Sequence, residues 1–166
     1  MKTPAMLRAL IALLLFVPTL GHAVWNADWK KRDKIELNTT AQGAETKEAL
    51  SGVAIAVRLH SGNFAFNEAK PDGSDLRFVA ADDKTLLKHV IERFDAANEL
   101  AVVWVQVPLL APGNAAQSVW LYHGNPKAPE ASDAKGVFDA GSVVFNFSEA
   151  GGAVVDAGAN AIVPVA

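Results

Sequence analysis

From Val24 onward the chain is dominated by alternation of apolar and polar residues, which predicts strands. Val53-Ala-Ile-Ala-Val-Arg-Leu-His60 sets Val53, Ile55, Val57 and Leu59 on one face and Ala54, Ala56, Arg58 and His60 on the other. That is the period of a strand with one face in a core. Ile35 and Leu37 repeat it briefly. Leu100 to Val107 is nearly all apolar, as expected of a central strand covered on both faces, with Pro108 ending it. Val119, Leu121 and His123 alternate with Trp120 and Tyr122, and Val143, Phe145 and Phe147 with Val144 and Asn146. Turn signals separate these runs at Ser61-Gly62-Asn63, Pro71-Asp72-Gly73, Pro112-Gly113-Asn114 and Gly124-Asn125-Pro126. The expected fold is all-β, an antiparallel β-sandwich of jelly-roll-like type. One stretch reads two ways. Leu86, Leu87, Val90, Ile91 and Phe94 have helical spacing, but a sandwich favours a strand here, paired with 100–107.

The first 23 residues have a different pattern. A basic head of Lys2 and Arg8 precedes the apolar run Ala9–Val17, then Pro18, then Gly21-His22-Ala23. This is the layout of a secretory signal peptide with small residues before the cleavage point. The run is far shorter than the about 20 residues that span a bilayer. Cleavage near Ala23 is expected, with a helical signal segment as the only membrane contact and a periplasmic or secreted product. The remaining chain divides into a β-sandwich module over 24–126, a linker rich in Ala, Pro and charge over 127–140, and the incomplete start of a second β domain over 141–166.

Charge and composition narrow the function. Without Lys2 and Arg8 the chain holds 13 basic and 18 acidic residues, a net charge of −5. A mildly acidic chain has no electrostatic footprint for nucleic acid. Lys30, Lys31, Arg32 and Lys34 lie beside Asp28 and Asp33 and read as a solvated strand flank. Cysteine is absent, which removes thiolate zinc sites, disulfides and thiol nucleophiles. The triplets at Asn38 and Asn146 fit the glycosylation pattern, which is common by chance.

Catalytic groupings are equally scarce. There is no Gly-x-Ser-x-Gly elbow and no His-Glu-x-x-His zinc motif. His60 and Ser61 are neighbours, but adjacent strand residues point to opposite faces. Asp72, Asp75 and the Asp82-Asp83 pair are rich in oxygen, yet the spacing lacks the other ligands of a calcium loop. Asp72 reads as a turn residue, and Asp75 as a cap for backbone amides or a partner of Arg77. No catalytic residue, metal ligand or cofactor is assigned. The candidate ligand-binding residues are Trp120, Tyr122, Asn125, Asp72, Asp75 and Arg77. Trp120 and Tyr122 would form a flat ring pair on an outer sheet face, suited to a glycan or a protein surface. Trp25 and Trp29 would clasp the sandwich edge.

Five stretches carry a family resemblance: Trp25–Trp29 with Arg32 and Ile35, Val57–Phe64, Pro71–Phe78, Trp104–Pro108 and Trp120–Asn125. Over about residues 25–126 they resemble domain of unknown function 2341. The resemblance implies an exported β-rich module that often precedes a laminin-G/concanavalin-like sandwich. In some envelope proteins both precede a channel similar to the MotA/TolQ/ExbB proton-channel family. Asp139–Glu149 resembles the opening of the laminin-G-like part, so a truncated relative is expected. The resemblance supplies no catalytic residues. The function expected is a non-catalytic envelope recognition or assembly module whose partner is an envelope protein or glycan surface, with a proton channel implied by the resemblance. The alternatives are a carbohydrate-binding module and, after it, a polysaccharide-acting enzyme.

Overall fold

A computed structural model of the chain describes residues 25–147, 149, 151–158, 160 and 162. The signal-peptide segment lies outside them. Among these residues seven strands form two antiparallel sheets. Strands β1 (Lys31–Leu37), β7 (Gln117–His123), β3 (Arg77–Ala80) and β4 (Leu86–Leu87) make a four-stranded sheet in the order β1-β7-β3-β4. Strands β2 (Leu50–His60), β6 (Leu100–Leu110) and β5 (His89–Asp95) make a three-stranded sheet in the order β2-β6-β5. Apolar side chains of the two facing layers form one core, the arrangement expected of an all-β sandwich.

Alternation places the residues as the sequence implies. Val53, Ile55, Val57 and Leu59 lie opposite Val107, Val105, Val103 and Ala101 on the inner face. Strand β6 is central, as expected, but only its inner residues are fully buried; Val102, Trp104 and Gln106 on the outer side are half-buried. It also continues through Pro108 to Leu110. The Gln106 N–H donates to the Lys88 carbonyl, so even-numbered residues at this end of β6 turn their amides away from β2. Pro108 shares that parity, and its missing N–H costs the β2 ladder nothing.

The ambiguous stretch is a strand in two parts. Leu86–Leu87 belongs to the first sheet and His89–Asp95 to the second, so the chain changes sheets at Lys88. A bulge between Ile91 and Arg93 then shifts the register. Leu87 and Ile91 share the core face by ordinary alternation, and the extra residue brings Phe94 to that face as well, which produces the three-residue step from Ile91 to Phe94.

Residues 127–140, expected from their composition to be a linker, lie against the three-stranded sheet. The Asp133 N–H donates to the His89 carbonyl at 2.8 Å and Ile91 N–H to Ser132 Oγ at 2.8 Å. Asp133 caps a short helix, α1 (Ala134–Val137), whose Val137 is fully buried. Phe138 meets the Trp104 ring edge-on at 5.7 Å. Among the described residues of the tail beyond, Phe145 makes a β-bridge with Asp156, and the Asp156 carboxylate accepts the amides of Val144, Gly158 and Ile162.

Buried in this core is His89, 5.5 Å from the Phe78 ring, with Nε2 unpartnered among the described residues. Burial, and secondarily the Arg77 charge, lower its pKa from 6.5 to about 4. The unfolded chain therefore takes up this proton first as pH falls, and the native state loses stability from about pH 6.5 down to about pH 4. The loss amounts to about 3 kcal/mol from this group. Urea midpoints measured across that window are expected to drop for the parent chain and to drop much less for His89→Leu.

Candidate functional site

The structure uses most of the six candidate residues internally. Asp72 Oδ1 accepts the Ser74 N–H and hydroxyl at 3.0 and 2.8 Å, which lowers its pKa. Gly73 comes next with φ of +70°; a Cβ there would lie 2.6 Å from the Phe94 ring, so glycine meets both the backbone and the space requirement. The turn delivers Asp75 to a fully buried position. Its Oδ1 accepts the Lys70 N–H at 2.9 Å, and Oδ2 accepts the amides of Gly124 and Asn125 at 2.8 and 3.2 Å. Asp75 thus caps amides, the first of the two roles expected, and does so across two loops. Asn125 Oδ1 in turn accepts the Lys127 N–H.

Arg77 is also buried. Its guanidinium donates to the carbonyls of Ser74, Leu76 and Pro129 at 3.0, 2.6 and 2.6 Å. Burial lowers its pKa. The Pro129 bond pins the 127–140 strap. The Trp29 ring lies over the Arg77 guanidinium at 5.3 Å, and its indole N–H donates to the Asp75 carbonyl at 2.6 Å.

Trp120 and Tyr122 do face outward, as alternation requires, but they are not an open ring pair. Tyr122 is 1% exposed. Trp25 packs on it edge-on at 5.6 Å and donates its N–H to the hydroxyl, which donates to Asp83. Arg32 donates to Asp83 at 2.5 Å and lies over the Trp120 ring at 4.3 Å. Its bond to the Tyr122 hydroxyl is the main cause of a raised Arg32 pKa. Trp25 and Trp29, 5.0 Å apart, therefore cover the sheet's face over central strand β7 and do not clasp its edge. The reason is register: Arg32, Tyr122 and Arg77 form one cross-strand row, and that row offers cations and an aromatic face to two indoles.

What remains open is the flank between β1 and β2. Each pairs with a single strand among the described residues, β1 with β7 and β2 with β6. The opposite flank is closed by the chain passing from β4 to β5. Core-facing Ile35, Leu37 and Ile55 are accordingly only half-buried, whereas Val103, Val105 and Leu121 on the central strands are at most 1% exposed. A cleft of about 350 Å³ runs between the two edges, lined by Ile35, Leu37, Ile55, Val57 and Leu121. Sequence reasoning missed it because nothing local marks a strand as lacking a neighbour.

At its polar end a second cleft of about 320 Å³ holds Asp33, Ser61, Asn63 and His123. Asp33 Oδ2 contacts His123 Nε2 at 3.0 Å. His123 Nδ1 is buried, with no partner among the described residues, and the ring packs on Phe64 at 4.8 Å. The imidazole therefore offers Ser61 no nitrogen to accept its proton, and the grouping lacks the geometry of an activated nucleophile. His60 instead accepts the Gly62 N–H. Among the described residues no group of three or more His, Asp or Glu side chains converges as metal ligands would.

The structural reading of Asp75 makes a quantitative prediction. Asp75→Ala leaves three amides without their acceptor, that of Asn125 buried and those of Lys70 and Gly124 partly so, and is expected to cost roughly 3–5 kcal/mol of stability. Trp29→Phe, which removes the indole N–H and part of the ring that covers Arg77, is expected to cost less, about 1–2 kcal/mol. Urea denaturation of both variants checks the order and the size.

No curated protein and no solved structure matches the chain. One family model does, described as "Domain of unknown function (DUF2341)", over residues 72–157. The match begins at the Asp72 turn and spans Asp75, Arg77, Tyr122, Asn125, the docked strap and part of the tail. It covers just over half of the chain, and the protein belongs to the DUF2341 family.

Proposed function

We propose that this chain is a non-catalytic recognition or assembly module of the cell envelope, and that the open flank between β1 and β2 is its working surface. The observation that carries the reading is the half-exposed apolar floor of that flank, at Ile35, Leu37 and Ile55, in a sandwich whose opposite flank is closed. The signal-peptide pattern of residues 1–23 supports placement outside the cytoplasm. The buried hydrogen bonding of Asp75, Arg77 and Asn125 supports a structural use of those side chains. The finer reading, that 141–166 opens a laminin-G-like domain and that the module serves a MotA/TolQ/ExbB-like channel, rests on the resemblance of Asp139–Glu149 and of the module itself. The carbohydrate alternative relied on Trp120 and Tyr122, and the packing of Trp25 and Arg32 over those rings weighs against it.

Retention of the full chain on washed envelope preparations tests the proposal. Ala56→Pro, on the open edge, is expected to reduce retention about tenfold, a change of about 1.4 kcal/mol. Trp120→Ala is expected to bind as the parent does. Loss with Trp120→Ala alone would favour the glycan reading, and equal retention of all three would remove the flank from consideration.

A further inference from the structure

If the open flank binds a partner, the proposal on which this inference rests, the backbone of β2 narrows what that partner is. Odd-numbered residues of β6 direct their amides toward β2, because Gln106 directs its own to Lys88. Val53, Ile55 and Val57 pair with those odd residues. The N–H and C=O groups of Ala54, Ala56 and Arg58 consequently point to the free side. At one end the Asn63 side chain already imitates a neighbouring strand. Its Nδ2 donates to the Arg58 carbonyl at 3.1 Å, and its Oδ1 accepts the His60 N–H at 2.8 Å. Among the described residues the next rungs, Ala56 and Ala54, have no partner on that side.

We propose that the free edge of β2 takes up an extended segment of a partner protein as an added strand. The segment is apolar at alternate positions and carries a carboxylate opposite Arg58. Strand addition obtains affinity from the main-chain ladder and specificity from alternate side chains. Side chains opposite Ile55 and Val57 would enter the apolar cleft floored by Ile35, Leu37 and Leu121. Charge selects the rest. Strands β1 and β2 bear four cations and two carboxylates, in a chain of net charge −3. Lys31, Arg32 and Lys34 have carboxylate partners in Glu68, Asp83 and Glu36, whereas Arg58 has none among the described residues. An acid directly across from Arg58 would complete a cross-strand pair. A second copy pairing through β2 would offer Arg58 no carboxylate, because β2 itself carries none.

The test uses the full chain and a short blocked peptide alternating valine with serine, with one glutamate in the register of Arg58. Binding is monitored by fluorescence anisotropy, and amide exchange by NMR. The peptide is expected to bind and to slow exchange at Ala54 and Ala56 about tenfold. Replacing its glutamate by lysine is expected to weaken binding about tenfold, and Arg58→Glu to reverse that preference. Ala56→Pro, tolerated where an edge N–H faces outward, is expected to abolish binding while leaving the melting transition cooperative. Slow exchange at Ala54 and Ala56 in the chain alone would mean the edge is already covered, and would overturn the proposal. Self-association through β2 would overturn it in favour of a second copy. Failure of the peptide with envelope retention still sensitive to Ala56→Pro refutes the strand chemistry alone; loss of that sensitivity refutes the recognition reading as well.

Discussion

A buried carboxylate holds this fold in register. Taking an ion such as Asp75 out of water is costly unless its oxygens find donors, and here the donors come from two loops about fifty residues apart, at Lys70 and at Gly124-Asn125. Meeting that demand fixes where β3 begins relative to where β7 ends. The same side of the sheet then aligns Arg32, Tyr122 and Arg77 in one row. Trp25 and Trp29 close over that row, and the Arg77 guanidinium extends the network to Pro129 and so to the strap on the other sheet. The Asp75 carboxylate thereby ties the two loops together, its main-chain carbonyl holds Trp29 of the leading segment, and Arg77 adds the 127–140 segment.

The consequence is an asymmetric sandwich. Its four-stranded sheet has an aromatic and cationic cover on its outer face. One flank is sealed by a chain that changes sheets at Lys88. The other flank leaves two strand edges without neighbours among the described residues. Strand edges invite pairing, and proteins commonly blunt them with charge. β1 carries that protection in Lys31, Arg32, Asp33, Lys34 and Glu36. β2 does not: its only acid or base is Arg58, apart from His60, and the Asn63 side chain blocks only its last rung. A long Val- and Ala-rich edge with an apolar cleft beside it is the feature on which the proposed recognition role rests.

Much of the strand content was legible because period-two alternation is written locally, as in Val53–Leu59 and Val119–His123. The stretch 86–94 was legible only in part. The step from Ile91 to Phe94 comes from a bulge that depends on pairing with β6, a partner that lies later in the chain. Pro108 misled for a similar reason: whether a proline breaks a ladder depends on which neighbour its nitrogen faces. Trp120 and Tyr122 were placed on the correct side of the sheet, yet their exposure was not readable, since Trp25 lies nearly a hundred residues away. The segment 127–140 lacks periodicity because it docks through Val137, Phe138 and single hydrogen bonds, not through a repeating face.

Taken alone, the amino-acid order determined the all-β class, the inner and outer faces of most strands, the turn at Asp72-Gly73 and the amide-capping role open to Asp75. Those features depend on residues within one strand or turn, where sterics and side-chain alternation act directly. Which faces are covered, which flank stays open and which carboxylate becomes buried were decided by tertiary structure, because each is a property of what another part of the chain places against that surface.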